Sequence, residues 1–215
     1  MNIRAKSARS KRKRDKNTRE KILNSARRVF AEKGYHQTRI IDLLKAGGVS
    51  PGAFYNYFSD KEELFMEIVF QAGELLRTTI QEIRHRGIKA GSQNEFFSVL
   101  VDSIQYFFRF VENNRTYFQI LLGEQQNVNS RIAETLNAII QDIHKDLKKD
   151  IERGIHLGFI WVSDPEITAF AILSAISGVA LYYLNNPKID RERLARSLAE
   201  MILIGLFRRP QDRPY

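Results

Sequence analysis

The chain of 215 residues contains no cysteine, only five prolines and a single tryptophan. Without cysteine it cannot form a disulfide, bind a metal through thiolates or use a thiol nucleophile. Such a composition suits a reducing cytoplasm. The sequence also has no run of 18 or more consecutive apolar residues, so we expect no membrane-spanning helix. A hydrophobic content of 43% is nevertheless sufficient for a packed core.

Motifs for catalysis are absent as well. Neither a glycine-rich phosphate loop nor a nucleophile elbow is present. The four histidines are scattered, at His36, His85, His144 and His156. The alternation of Asp142, His144 and Asp146 along a predicted helix points these side chains in different directions. We therefore predict that the protein is not an enzyme and has no catalytic residues, metal site or cofactor.

Positive charge is concentrated at one end of the chain. Residues 1–21 contain ten Lys or Arg against Asp15 and Glu20, whereas the other 194 residues contain 24 basic and 23 acidic residues. We predict that residues 1–16 form a disordered basic arm that binds DNA phosphates. The alternatives are a solvated tail or a membrane-surface anchor. An anchor needs interleaved apolar residues, and Ile3 is the only large one before Ile22.

The segment from Thr38 to Lys61 has the pattern of two short helices joined by a turn. Four apolar residues at helical spacing precede Gly47 and Gly48, which favour the conformation found at a helix C-terminus. Ser50 then fits an N-cap, with Pro51 as the first helical residue. This is the pattern of a helix-turn-helix.

Flanking helices extend this motif to residues 17–63. The preceding helix is expected to start near Thr18 and to end at Gly34; its apolar face holds Ile22, Leu23, Ala26, Val29 and Phe30. Ser59 or Asp60 caps the following helix, which should run to about Arg86. No strand-like alternation follows in residues 93–215, so the whole chain is predicted to be all-α.

Residues 18–65 resemble the N-terminal domain of TetR-type transcriptional regulators. Three segments carry the resemblance: Phe30 to Tyr35, Gly48 to Phe58, and Asp60 to Leu64. The resemblance implies about nine helices: a three-helix helix-turn-helix DNA-binding domain, then a helical ligand-binding and dimerisation domain over residues 64–208. Residues 209–215 would be a tail. It also implies a bacterial protein of the cytoplasm, associated with the nucleoid.

The motif supplies candidate DNA contacts. Hydroxyls and an ammonium suited to phosphates are provided by Tyr55, Tyr57, Thr38 and Lys61, and the resemblance supports these roles. Base edges would be met by Arg39, Pro51, Gly52, Ala53 and Asn56, next to the capping residue Ser50. The alternative for Tyr55 is a core aromatic. Phe54 and Phe58, four residues apart, already occupy the inward face, so Tyr55 is expected to point outward.

The stretch 167–184 is apolar nearly all round a helix, which indicates burial on more than one side. We expect it to pair with the last helix across a two-fold axis as a four-helix bundle, making a homodimer. The predicted interface residues are Ile172, Ile176, Val179, Tyr183, Leu198 and Ile202. The alternative is an ordinary buried helix of a monomer. Polar ends at Asp164, Glu166 and Asn185 argue against a membrane span.

Aromatic residues suggest a ligand pocket. They lie between these helices and the helix-turn-helix domain, residues 17–63, which we call the reader. The candidates are Phe107, Phe108, Tyr117, Phe118 and Trp161. An aromatic stripe at helical spacing is more often core than pocket. The segment from Phe110 to Glu124 is similar to that of family members that sense fatty acyl chains.

These features together predict a sequence-specific DNA-binding transcriptional regulator. We expect a repressor that a small apolar or amphipathic ligand, with an acyl chain as one candidate, releases from a palindromic operator on double-stranded DNA. The expected partners are DNA, a second copy of the chain and that ligand, with no membrane. The alternative is a basic-tailed helical adaptor that binds a membrane surface or an acidic protein.

Overall fold

A computed structural model describes residues 3–87, 92–123, 130–186 and 188–207. Within these ranges the chain forms nine α-helices and no strand, as predicted. The helices are α1 (Ile3–Lys33), α2 (Ile40–Gly47), α3 (Pro51–Tyr55), α4 (Lys61–Gly87), α5 (Gln93–Asn113), α6 (Arg115–Gly123), α7 (Ser130–His156), α8 (Pro165–Asn185) and α9 (Arg191–Phe207). The predicted tail, residues 209–215, lies outside the described residues.

The first helix is longer than predicted. It begins at Ile3 rather than near Thr18, so residues 3–16 of the arm that was expected to be disordered are helical. The physical reason is composition: this segment is rich in Ala, Lys and Arg, which have high helix propensity, and contains neither Gly nor Pro. The basic segment is therefore a helical extension of the first reader helix.

The residues that begin and end the helices of the helix-turn-helix lie where the sequence predicts them. Ser50 Oγ accepts a hydrogen bond from the Ala53 N–H at 3.2 Å, and Pro51 follows as the first residue of α3. Gly48 ends α2 with φ 56°, in the left-handed region that favours glycine. Asp60 Oδ1 accepts from the Glu63 N–H at 2.8 Å, which caps α4.

The buried apolar residues form two hydrophobic cores. The first joins α1 to α4 with α6 and the start of α7, around the fully buried Phe30, Phe54 and Phe65. The second joins α5, α8 and α9 with the end of α7, around Phe108 and Leu184. Leu76 of α4 packs against both cores. Because α4 is continuous from the reader to this residue, a displacement of α4 affects both cores.

Among the described helices, α8 is long and apolar enough to cross a membrane by length and composition, with a mean hydropathy of 1.9. Only 22% of that window is buried within the chain. A helix in the core of a single chain would be mostly buried, so the core of this chain alone does not account for so exposed an apolar helix. The prediction from sequence that α8 is buried on several sides therefore requires a further surface to cover it.

Candidate nucleic-acid interface and adjoining cavity

Helix α3 presents a small, solvent-facing surface. Tyr55 is 54% exposed, and Asn56, Pro51 and Gly52 are also exposed. Phe54 and Phe58 are fully buried beneath them, so the prediction that Tyr55 points outward is confirmed. The ring of Tyr55 stands edge-on to the ring of Phe54, with centroids 5.4 Å apart. This contact orients the Tyr55 ring, which remains largely exposed.

The residues that begin α3 allow close approach by another surface. A Cβ built on Gly52 meets nothing within 4 Å, and Ala53 beside it is half-buried. Ser50 is exposed, but its hydroxyl oxygen already serves as the N-cap. A helix start with such short side chains can bring its backbone close to the edges of bases in a major groove.

Arg39 lies at the start of α2 with its side chain 80% exposed. Its backbone N–H donates to Asp42 Oδ2 at 3.0 Å, and its guanidinium lies 3.7 Å from the same carboxylate. The backbone bond from Arg39, followed by the side chain of Lys33, holds the pKa of Asp42 below its ordinary value. Arg39 therefore begins α2 with a largely exposed side chain.

Thr38 is not at the surface, contrary to its predicted phosphate contact. The residue is only 1% exposed, and its hydroxyl donates to the Gly34 carbonyl at 2.7 Å. Thr38 precedes Arg39, which is the N-cap of α2. Because its hydroxyl already has a carbonyl acceptor inside the loop, Thr38 fixes the α1–α2 connection instead of offering a donor to DNA.

Lys61 also points into that connection. Its ammonium donates to the carbonyls of Tyr35 at 2.8 Å and Thr38 at 2.9 Å, and lies 4.2 Å from the Tyr35 ring centroid. Burial, then the nearby Glu62 and Asp60 carboxylates, raise the pKa of Tyr35. Lys61 therefore fastens the loop before α2 to the start of α4. Tyr57, the remaining predicted phosphate contact, is half-buried against the first core.

A cavity of about 770 Å³ lies between α4, α5, α7 and α8. Its wall is mostly aliphatic and aromatic, and includes Ile80, Ile83, Leu100, Phe107, Phe118, Leu136, Ile140, Ile143, Leu147 and Ile172. The polar lining residues are Arg84, Ser103, Gln141, His144, Asp150, Arg153, Ser174 and Ser177. This volume is within the range of small-molecule sites, roughly 300–1,000 Å³. The cavity can therefore hold an elongated apolar molecule.

Only two of the five predicted ligand residues line this cavity, Phe107 and Phe118. Phe108 is fully buried in the second core, edge-on to Tyr183. Tyr117 faces the other way, with the Arg27 guanidinium 4.5 Å from its ring centroid. Trp161 is half-buried outside the cavity wall. Aliphatic side chains, with α7 and α8 as the main sources, supply most of the wall instead.

One charged cluster borders the cavity. Arg84 donates from Nε to Asp150 Oδ2 at 2.7 Å, and its Nη1 lies 2.8 Å from Asp146 Oδ2. The hydrogen bond with Asp150 raises the pKa of Arg84. Arg84 follows Ile83 on the cavity-lining stripe of α4, so an arginine on a predicted apolar face was the sequence signal that could have located this cluster.

The predicted dimer residues lie largely inside one chain. Tyr183, Leu198 and Ile202 are at most 6% exposed and belong to the second core, and Ile172, Ile176 and Val179 are partly buried against it. These residues therefore stabilise the single chain. A different face of α8 is exposed, and we call it the α8 stripe: Ile167, Phe170, Ala171, Ser174, Gly178, Leu181 and Tyr182. Met201 on α9 is also 56% exposed.

Helix α3 is capped and exposed, and it follows a glycine turn. It belongs to a three-helix domain that α4 joins to a larger helical body. These features define a DNA-binding regulator of the helix-turn-helix class. Residues 22–68 match the model for bacterial regulatory proteins of the tetR family, and residues 99–206 match the tetracyclin repressor-like C-terminal domain. The chain belongs to the TetR family and is a sequence-specific DNA-binding transcriptional regulator.

Its relatives share this architecture. An HTH-type transcriptional regulator of Haemophilus influenzae is 32% identical over 194 residues, covering 87% of this chain and 88% of the relative. The fold is similar to FadR of Bacillus subtilis in complex with stearoyl-CoA, at 22% identity and TM-score 0.69, with 86% and 98% of the two chains covered. It is also similar to AibR in complex with isovaleryl coenzyme A and operator DNA, at 17% identity and TM-score 0.72, with 88% and 100% covered.

Proposed function

We propose that the protein is a homodimeric repressor of the bacterial cytoplasm, without enzymatic activity, that an acyl-chain ligand releases from a palindromic operator. The observation that carries this proposal is the apolar cavity of about 770 Å³ walled by α4, the helix that also continues into the reader. A ligand that binds only one arrangement of α4 shifts the population of reader positions.

DNA binding would fall to the exposed residues of the reader. We expect the Tyr55 hydroxyl to donate to a phosphate, and Asn56, Arg39 and the start of α3 to contact base edges; the exposure of these residues supports this assignment. Lys61 and Thr38 would act indirectly, because their polar groups hold the loop that sets the position of α2. So small a reading face gives specificity only when two copies read two half-sites.

The α8 stripe supports the homodimer. Ile167, Phe170 and Tyr182 are each more than half exposed in one chain. Contiguous apolar patches of this kind are rare on monomeric proteins and mark interaction surfaces. A second copy that covers the stripe explains why α8 is apolar all round.

The cavity wall indicates the class of ligand. Most lining side chains are branched aliphatics, which suit a flexible hydrocarbon chain, and Arg84 with Asp150 forms one polar border. FadR binds stearoyl-CoA and AibR binds isovaleryl coenzyme A in structures of the same fold. We infer an amphipathic ligand whose acyl chain occupies the apolar part and whose polar end lies towards Arg84.

Selection of bound sequences from random DNA by the purified protein tests the first half of the proposal. A palindromic motif is expected. The second half is tested by fluorescence anisotropy on the selected operator, titrated with acyl-CoAs and fatty acids of increasing chain length. Operator affinity should fall with the chains that fit. A non-palindromic motif would contradict the palindromic operator. The absence of a response to any acyl chain would contradict release by an acyl-chain ligand.

A matched pair of variants links the response to the cavity. Ser103→Phe adds a ring at a residue that lines the cavity and should abolish the acyl response while operator binding persists. Ser98→Phe places the same ring on an exposed position of α5 outside the cavity wall and should leave the response unchanged. Equal responses in the two variants would place the ligand elsewhere.

A further inference from the structure

One large apolar side chain of the reader is exposed and has no role in the contacts described above. Ile41 of α2 is 47% exposed, whereas Leu43 and Leu44 beside it are buried in the first core. Ile40 packs partly against the same core. All four are apolar residues at helical spacing, yet Ile41 lies outside the face that packs on the core. The hydrophobic core therefore does not explain an isoleucine at this position.

The contacts of α2 show which way Ile41 faces. Asp42 Oδ1 accepts a hydrogen bond from Lys33 Nζ of α1 at 3.2 Å, and a Cβ built on Gly47 would lie 3.0 Å from Ser25 Oγ of α1. Both residues therefore mark the side of α2 that packs on α1. With about 3.6 residues per turn, Ile41 is turned about 100° from Asp42 and about 120° from Gly47 in the other direction. Ile41 therefore faces away from α1.

Ile41 lies at the same end of the reader as the exposed tyrosine of α3. Lys61, which follows Tyr55 by six residues, donates to the Thr38 carbonyl at 2.9 Å. Thr38 immediately precedes Arg39, the N-cap of α2, so the chain that leaves α3 returns to the start of α2. Ile41 is in the first turn of that helix. The exposed isoleucine therefore adjoins the surface assigned to DNA, on the side that α1 leaves open.

The surroundings of Ile41 are positively charged. The Arg39 side chain is 80% exposed, and Lys45, one turn further along α2, is exposed as well. The acid beside them, Asp42, has only 17% of its side chain exposed and is paired with Lys33. Such a surface suits a polyanion, whereas an apolar surface of another protein would not need the flanking cations. The apolar group that DNA offers in its major groove is the C5-methyl group of thymine.

We propose that Ile41 determines part of the operator specificity by contacting the C5-methyl group of one thymine in the major groove. The proposal goes beyond the function given above, because it names a base and the group on that base that this residue selects. Isoleucine can neither donate nor accept a hydrogen bond through its side chain, so the contact depends on the methyl group alone. Burial of one methyl group corresponds to about fourfold in affinity.

Replacement of thymine by 2′-deoxyuridine tests this contact, because it removes the methyl group and keeps the base pair. Each thymine of an operator obtained by selection from random DNA is replaced in turn, and affinity is measured by fluorescence anisotropy. The wild-type protein should lose about fourfold in affinity at the thymine that Ile41 contacts. Ile41→Ala should bind the unmodified operator about fourfold or more weakly, and the replacement at that thymine should then have no further effect.

Two control variants separate this contact from other effects. Ile41→Val keeps a branched apolar side chain and should keep the sensitivity to 2′-deoxyuridine at the same thymine. Phe70→Ala removes a 60% exposed apolar side chain from α4, outside the reader, and should match the wild type in affinity and at every replacement. Thermal melting should give nearly the same midpoint for Ile41→Ala as for the wild type, because the Ile41 side chain is about half exposed.

Thymines contacted by other residues of the reader serve as internal controls. A thymine methyl that Ala53 contacts, for example, should keep its sensitivity to replacement in Ile41→Ala. If Ile41→Ala binds the unmodified operator as the wild type does, Ile41 is not at the DNA interface and the proposal is overturned. It is also overturned if Ile41→Ala binds more weakly but shows the same loss as the wild type at every replaced thymine, since Ile41 would then support binding without reading a methyl group.

Discussion

At the scale of single residues, exposure separates side chains that meet DNA from those that position the reader. Tyr55 and Thr38 were both predicted to offer hydroxyls to phosphates. The Tyr55 hydroxyl is at the surface, whereas that of Thr38 is buried and bonded to Gly34. A short polar side chain beside a turn can serve either role, so only its tertiary surroundings decide between them.

Tyr55→Phe should weaken operator binding without destabilising the fold. The variant removes a hydroxyl that one chain leaves exposed, and the ring keeps its edge-on contact with Phe54. Loss of a hydrogen bond to a charged phosphate corresponds to about 1.5–3 kcal/mol, or roughly tenfold or more in affinity per half-site. Anisotropy titration and thermal melting measure the two effects.

Tyr106→Phe is the control, since it removes a tyrosine hydroxyl of α5 that donates to Glu82 Oε2 at 2.7 Å and belongs neither to the reader nor to the α8 stripe. It should leave operator affinity unchanged. A lower melting temperature for Tyr55→Phe, with unchanged affinity, would show instead that the hydroxyl supports the core.

Lys61→Met should lower stability without changing the salt dependence of DNA binding. The variant leaves the Tyr35 and Thr38 carbonyls without their ammonium donor, at a cost of about 1–2 kcal/mol. Loss of a phosphate contact would instead reduce the slope of log affinity against log salt by about 0.9. Chemical denaturation and salt titrations measure these quantities. Lys45→Met, at an exposed position of α2, is the control for stability.

At the scale of elements, sequence signals predict helix ends better than helix faces. The caps at Ser50 and Asp60 lie where their side-chain chemistry predicts, because capping is a contact between neighbours in sequence. Helix α8 is apolar on every side, so its periodicity cannot show which face meets the chain's own core. Tyr183 was therefore assigned to the wrong side, and the exposed Phe170 and Tyr182 were missed.

The cavity was misassigned for a related reason. The prediction rested on aromatic residues, yet most of the wall is aliphatic, with α7 and α8 as its main sources. A cavity forms where facing helices fail to fill the space between them, and that depends on interhelical distances that no single helix encodes.

Acidification should destabilise the reader through two helix-start carboxylates. The Ser59 backbone N–H lowers the pKa of Glu63, as the Arg39 N–H lowers that of Asp42. Because the folded pKa values lie below the unfolded ones, about 4.3 and 3.9, this stability is present above that range and is lost as pH falls through the folded values. Circular dichroism melts between about pH 6 and pH 3 should show the decline.

Asp42→Asn separates this effect from general acid unfolding. The variant should be less stable at neutral pH and should lose less stability on acidification, because one titrating cap is gone. Glu134→Gln, at an exposed position of α7, should match the wild-type pH dependence. Parallel curves for Asp42→Asn and the wild type would show that this carboxylate does not stabilise the reader.

At the scale of the whole molecule, charge and ligand response are separated along the chain. The reader face of α3 is small and mostly uncharged, while the basic residues of the first 21 positions account for nearly all of the net charge of +9. The second core and the cavity lie at the other end of α4. Affinity for any DNA and release by a ligand are therefore expected to respond to different mutations.

Deletion of residues 1–16 should weaken binding to all DNA sequences and flatten its salt dependence. The deletion removes eight Lys or Arg and one Asp, which lowers the net charge from +9 to +2. Each lost phosphate contact reduces the slope of log affinity against log salt by about 0.9, whatever the base sequence. A full-length variant with the eight basic residues replaced by Gln should behave as the deletion does, since charge and not length is responsible. Anisotropy titrations on operator and random duplexes that show unchanged affinity and slope would exclude this role for the arm.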